Sequence, residues 1–528
     1  MSRKQRIIVS VTGIFLVLLI LVGLTYAYFL TKIKGNENNK SISVTTANLL
    51  LEYADVNDEL ITDSAVEPDK TWTKTFVATN KGNKTVTYGV ALENVVNTLE
   101  RKEDLVYTLD CKQYSKTDFA IDKTNKTVSG SISGTCNSVT TGTTFPSIGT
   151  ILVQNDIADD KAQVYTLTIT YKETNTDQSV DMNKTFSAKA NIVDPNNFKP
   201  YGTNTLATAI IDSAKTASSS SDATRTIYQE TPTTTPGQAI STETEKTLSK
   251  TQDDYGDSYY YRGNVVDNFV NYAGMCWRIV RIQGDGSIKL ILASELSCSD
   301  TNVTTTSGYA KDEKGTELSV EYGTNSNQQD YVNGNIRSNL NSWIERKITN
   351  DTDKVLLKNE SWCIGDTTSA YDNETYELKI ETAEELINAG TSFSYSAGKR
   401  INNTKTPTLK CDGSKDKDGE IDTNNVGMLT ADEIAFAGST SSSNSTYYLN
   451  KNATLNTSSS TSAWWVISYY SYYNIIHIKR AFTVNSYGGL SYSELYGSKN
   501  LIRPSVTLTS GSQIASGDGT VNNAYVVK

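Results

Sequence analysis

The stretch Tyr165-Thr166-Leu167-Thr168-Ile169-Thr170-Tyr171 decides how the first half of the chain reads. Large apolar side chains alternate with threonine, the period of a strand with one buried face. The pattern recurs on both sides. Downstream, Phe186, Ala188, Ala190 and Ile192 alternate with polar residues. Upstream, Thr71–Ala78 places Trp72, Phe76 and Ala78 on one face, and Val86, Tyr88 and Val90 alternate after the turn Asn80-Lys81-Gly82-Asn83. Ser41–Leu51 reads as a first strand. Short strands joined by polar turns predict an antiparallel β-sandwich over residues 36–200.

Before this region runs Ile7–Leu30, IIVSVTGIFLVLLILVGLTYAYFL, without a charge or a proline. As a helix it is roughly 36 Å long, enough to cross a hydrocarbon core of about 30 Å. Arg3, Lys4 and Arg6 precede it, which predicts a cytoplasmic N-terminus and an extracellular body. Residues 1–34 are thus expected to be a basic flank and a membrane or signal helix. Thr25-Tyr26-Ala27 offers an imperfect signal-peptidase site near Ala27, which would release a secreted protein. The length of the apolar run favours retention as a single-pass anchor.

The bulk composition narrows the class. The chain has 528 residues and a net charge of −10, and removing the five cations of residues 1–34 leaves −15 on the body. An acidic body argues against nucleic acid, which needs a basic face, and against adsorption to anionic lipid. The six cysteines contain no C-x-x-C pair, so no zinc cluster is expected. Their order suggests local pairs, Cys111 with Cys136, Cys276 with Cys298 and Cys363 with Cys411, and export makes disulfides plausible. Six buried thiols are the alternative. One histidine, His477, excludes multi-histidine metal centres; its apolar context reads as a strand rather than a catalytic base. No cofactor is expected.

At the N-terminus, Gly23–Phe29, the segment from Ile42 to Leu49-Leu50-Leu51, and Phe76–Asn83 resemble the export region and strand-turn pattern of the TasA/camelysin family. That resemblance implies a jelly-roll-like domain, in some members a subunit of matrix fibres. Cys111, Cys136 and the large C-terminal addition depart from the pattern.

Residues 201–252 read as a short helix, 203–215, and a Ser/Thr-rich linker with too few large apolar residues to offset ordering entropy. Residues 253–528 read as an α+β surface domain. Cys276–Ile282, Gly284-Asp285-Gly286 and Ser287–Leu292 form a hairpin signal. Ile336–Ile344 and Glu381–Ala389 look helical, and Thr430-Ala431-Asp432-Glu433 is a capping box opening a helix through Ala437. Trp464–Ser468, Ile475–Val484 and Ser505–Leu508 read as strands. Seven ordered blocks, from Asp253–Asn264 through Ala273–Leu292, Trp362–Asp366, Val426–Gly438, Ala463–Trp465 and Ile502–Leu508 to Ser516–Thr520, resemble an uncharacterised domain of surface proteins from Gram-positive and gut bacteria. The late Trp-Trp and Arg-Pro-x-Val elements are also similar to the C-type-lectin-like fold of the formylglycine-generating family. The paired-cysteine chemistry of that family has no counterpart here.

Three groups of residues bear on function. Asp416, Asp418 and Asp422 partly fit a calcium loop, but Ser414 and Asn425 stand where ligating carboxylates belong, so a solvated acidic turn is the default. Trp464, Trp465, Tyr469, Tyr470, Tyr472 and Tyr473 suit stacking on a glycan or anchoring a protein ligand. The tryptophans read as core, and the tyrosines as a loop because Ser468 and Ser471 interleave them. Arg503 reads as a structural ion-pair partner. The Ser-rich tracts contain no nucleophile elbow and no phosphate loop precedes a helix. The expected function is non-catalytic: adhesion, recognition or envelope architecture through residues 253–528. A fibre subunit and a formylglycine-type enzyme are the alternatives. The sequence sets no oligomeric state.

Overall fold

The computed structural model describes residues 44–528 except 47–48, 57–60, 64–67, 98, 100, 179–180, 182–185, 197, 233, 239–243, 304–305, 325–329, 368, 373–376, 381–391, 412, 416–425, 442–445, 452–462 and 474–476. The expected membrane helix at 7–30, the cleavage point near Ala27, the calcium candidates Asp416, Asp418 and Asp422, and the expected helix Glu381–Ala389 lie outside the described residues. Among the described residues no helix is long and apolar enough to cross a membrane. The chain divides after Pro200 into two compact units.

In the first unit the strand Lys161–Tyr171 lies mid-sheet, paired antiparallel with Thr71–Asn80 on one side and Leu105–Ser115 on the other. Its alternation is realised: Tyr165, Leu167, Ile169 and Tyr171 are buried, and the threonines between them are half-buried. A second antiparallel sheet runs in the order Thr150–Ile157, Val86–Asn97, Phe186–Val193, Ile61–Asp63. Side chains of both sheets share one core. Phe76 stacks on Tyr165 at 5.3 Å, and Trp72 meets Phe186 edge-on at 4.8 Å. Tyr88 and Tyr165, from opposite sheets, join their hydroxyls at 2.7 Å, so neither is left unpaired in the apolar layer. The turn after Thr71–Asn80 is held by Asn80, whose side chain accepts from Gly82 N and donates to the Lys84 carbonyl. This is the expected β-sandwich. Its outer face is less polar than the alternation predicts. Val77, Tyr114, Ala162 and Val164 are buried there, packed with Phe119 and with Ile121 and Val128 of the hairpin Ala120–Ser129.

The second unit begins at Tyr201, and this corrects the linker. Leu206–Ser220 is a helix, N-capped by Thr205, that buries Leu206, Ile210, Ile211 and Ala214. Ile227–Gln229 and Lys246–Asp253 are strands, paired parallel with each other, of a ten-stranded sheet. The composition argument failed because this segment buries polar residues in hydrogen-bonded places. Thr247 and Ser249 lie inside a paired strand, and Thr226 donates its hydroxyl to the buried Asp267 carboxylate. The segment also docks on the end of the chain, with Leu206 N donating to the Ser512 carbonyl and Ile514 N to the Asn204 carbonyl.

The expected hairpin forms, Met275–Ile282 against Ile288–Ser294, closed by a turn whose Gly286 has φ +83. Asn335–Lys347 and Ala431–Ala437 are the expected helices. A second sheet of eight strands is built around Trp464–Tyr473, which pairs with Ile478–Val484, and that strand with Leu490–Glu494. The strand expected from Ile475 is described from Ile478 onward, and His477 precedes it with φ +52 and an exposed side chain. All six cysteines are paired as the local order suggested: Cys111–Cys136, Cys276–Cys298 and Cys363–Cys411.

Candidate functional site

The helix Ala431–Ala437 organises the charged interior of the second unit. Thr430 caps it through its hydroxyl, which accepts from Glu433 N at 3.0 Å, while Glu433 Oε2 accepts from Thr430 N at 3.0 Å. The same carboxylate takes Arg281 Nε at 2.9 Å and Lys289 Nζ at 3.0 Å through its other oxygen. Burial alone would raise the pKa of Glu433, but Lys289, Arg281 and the Thr430 amide outweigh it and hold it down at about 2. Arg281 also meets Asp253 at 2.6 Å. The neighbouring Asp432 is gripped by Arg400 through two nitrogens, at 3.0 and 2.8 Å. At the far end of the helix, buried Arg262 donates to the Ala435 and Phe436 carbonyls and to Glu245. The capping motif was legible in the sequence. Its second use, as the hub of a buried ion cluster, was not, because Arg281 reaches Glu433 across 152 positions from a hairpin that no local pattern links to the helix.

Asp253, Arg281, Lys289, Arg400, Asp432 and Glu433 line a cleft together with Glu360, Ser468 and the half-buried Cys363–Cys411 disulfide. About 40 Å³ is open to water, space for roughly three molecules. Small-ligand sites run to roughly 300–1,000 Å³, so this cleft is a solvated ion cluster and too small for a metabolite. Nearby, Lys358 bridges Asp285 at 2.8 Å and Glu360 at 3.3 Å. Burial opposes charge on Lys358, but Glu360 and Asp285 more than compensate and raise its pKa.

The six aromatic candidates all lie on one strand, Trp464–Tyr473, so the loop expected for the tyrosines is corrected. Ser468 and Ser471, which suggested the loop, are buried within the strand, and Ser468 Oγ accepts from Ala431 N at 3.1 Å. Trp464, Trp465, Tyr469 and Tyr472 are buried, the last two 4% exposed, and are core residues rather than contact residues. Tyr470 and Tyr473 are half-buried and remain available. They belong to a ladder that crosses the hairpin. Tyr470 stacks nearly parallel on Tyr492 at 4.4 Å, and the Arg480 guanidinium lies 4.4 Å from Tyr473 and 5.0 Å from Tyr492. Tyr492 is 46% exposed, with Tyr487 and Tyr496 exposed on the same segment. Sequence reasoning missed Tyr492 and Arg480. The alternation Leu490-Ser491-Tyr492-Ser493-Glu494 carried the signal.

Arg503 is fully buried. It donates to the Leu292 and Leu449 carbonyls and lies 5.4 Å over Trp464, a structural role met by backbone oxygens. His477 Nδ1 pairs with the Tyr472 hydroxyl at 2.8 Å. No family model, curated protein or solved structure matches the chain.

Proposed function

We propose that the chain is a non-catalytic bacterial cell-surface protein, held by residues 7–30 or released near Ala27, that recognises a glycan or protein ligand through its second unit. The observation that carries this reading is the pairing of all six cysteines, with no free thiol among the described residues. Disulfides in both units suit an oxidising exterior, since cytosolic thiols are kept reduced. The contact surface is the ladder of half-buried Tyr470, Tyr473 and Arg480 and exposed Tyr492, because tyrosine gives large contact area at low entropic cost and both residue types are enriched at binding hot spots. A jelly-roll type for the first unit and a lectin-like α+β type for the second belong to this proposal. An enzyme of the formylglycine-generating sort is not favoured: Cys363 and Cys411 do share a cleft, but they are bonded to each other.

Intact cells test the location. A membrane-impermeant maleimide should label the chain only after an external reductant is added. Labelling that requires cell lysis would place the body inside and end the proposal. Glycan and peptide arrays probed with the full chain then read recognition, with Tyr492→Ala expected to abolish the signal.

A further inference from the structure

A second cavity in the second unit has a different character from the ion cluster. It measures about 380 Å³ and is open to solvent, within the range of small-ligand sites. Its walls are Tyr371, Ser396, Lys399, Arg400, Thr404 and Thr406. Two are cations, three carry aliphatic hydroxyls and one is a phenol. None is a carboxylate.

The two cations differ in their freedom. Arg400 is committed by its bidentate grip on Asp432 and forms a fixed wall. Lys399 sits 4.2 Å over the Tyr371 ring, and among the described residues no carboxylate lies within ion-pair distance of it. An ammonium stacked on a ring keeps its donors for another partner.

The backbone here is also unusual. Ser396–Lys399 is an α-helical turn, and Arg400–Thr404 continues it as a π-helix. Such turns are rare and concentrate at functional sites. The segment ends on Lys405 with φ +54, a left-handed conformation uncommon outside glycine. Local charge points the same way. Lys399–Lys410 holds Lys399, Arg400, Lys405 and Lys410 and no acid, within a chain of net charge −10.

We propose that this cavity binds the anionic group of a carbohydrate or polyol, a carboxylate or a phosphate. Lys399 Nζ donates to the anion, the Thr404 and Thr406 hydroxyls, bonded to each other at 2.6 Å, offer it one further donor, and Tyr371 packs against the carbon skeleton, while the Ser396 hydroxyl is held by Asp366 at 3.3 Å. The proposal goes beyond the surface reading and does not depend on it, since the maleimide assay can fail while this binding stands.

Calorimetric titration of the full chain tests it, with galacturonate oligomers, glycerol phosphate and neutral galactose oligomers as probes. At least one anionic probe should bind, more weakly at physiological than at low salt, and the neutral probe should not. Uronate binding alone assigns a carboxylate and glycerol phosphate binding alone a phosphate. Lys399→Gln should weaken binding about tenfold, the loss expected for one charge-assisted contact. Lys399→Arg should retain most of it. Lys314→Gln removes an exposed charge elsewhere and should leave binding unchanged. The proposal is overturned if neither anion binds, if Lys399→Gln binds like the parent, or if Lys314→Gln loses as much.

Discussion

Glu433 serves the backbone and the charged interior at once. It closes the capping box on Thr430 and neutralises Arg281 and Lys289 within the protein. Removing its charge leaves Lys289 facing an uncharged amide and Arg281 held by Asp253 alone, and breaking a buried pair costs about 3–5 kcal/mol. Glu433→Gln should lower the stability of the second unit by that order, read by urea unfolding at neutral pH. The carboxylate's pKa is depressed in the folded state, to about 2 from 4.5. The stability it contributes is therefore present above pH 4.5 and lost as pH falls towards 2. The parent should lose stability more steeply in that window than Glu433→Gln, since other depressed carboxylates such as Asp285 titrate in both. An equal slope in both would mean that the charge is not coupled to folding.

At the scale of elements, legibility in the sequence followed locality. The hairpin Met275–Ser294 and the helix Ala431–Ala437 were readable because their determinants, a turn glycine and a capping box, lie within a few residues of each other. The strand Trp464–Tyr473 was readable as a strand only in its first half. Its pairing with Ile478–Val484 shifts register between Trp465 and Tyr469 and again between Tyr469 and Ser471. Each irregularity breaks the period of two, so no alternation marks which tyrosine faces out. Tyr469 and Tyr472 turn in, Tyr470 and Tyr473 stay half-exposed, and the exposed partner Tyr492 comes from another strand. Stability can check this division. Tyr469→Ala should cost about 3 kcal/mol or more, as for other large buried aromatics. Tyr492→Ala should cost less than about 1 kcal/mol, since substitutions at the surface change little. Equal losses would contradict the assignment of faces.

For the whole molecule, the main revision is where the second unit begins. The sequence placed the boundary at residue 253, but residues 201–252 supply a helix and two strands. Their anchors lie far along the chain. Arg225 reaches Asp518 across 293 positions, and Leu206 reaches Ser512. No local pattern reports such docking, and the buried serines and threonines disguised it as low complexity. A fragment of residues 253–528 should therefore be poorly folded, whereas residues 201–528 should unfold in one cooperative transition, compared by circular dichroism and thermal melting. A stable, cooperative 253–528 fragment would restore the linker.

The spacing of the disulfides carries a consequence for biogenesis. Each cysteine bonds to the next one along the chain, across 25, 22 and 48 positions. A chain that emerges N-terminus first at about 5–20 residues per second presents each partner within about 1–10 s of the first thiol, before any later cysteine can compete. Uncatalysed reshuffling takes minutes to hours. If the chain is exported as proposed, order of emergence favours the native pairs wherever an oxidant acts within that interval, since disulfide formation itself takes seconds to hours.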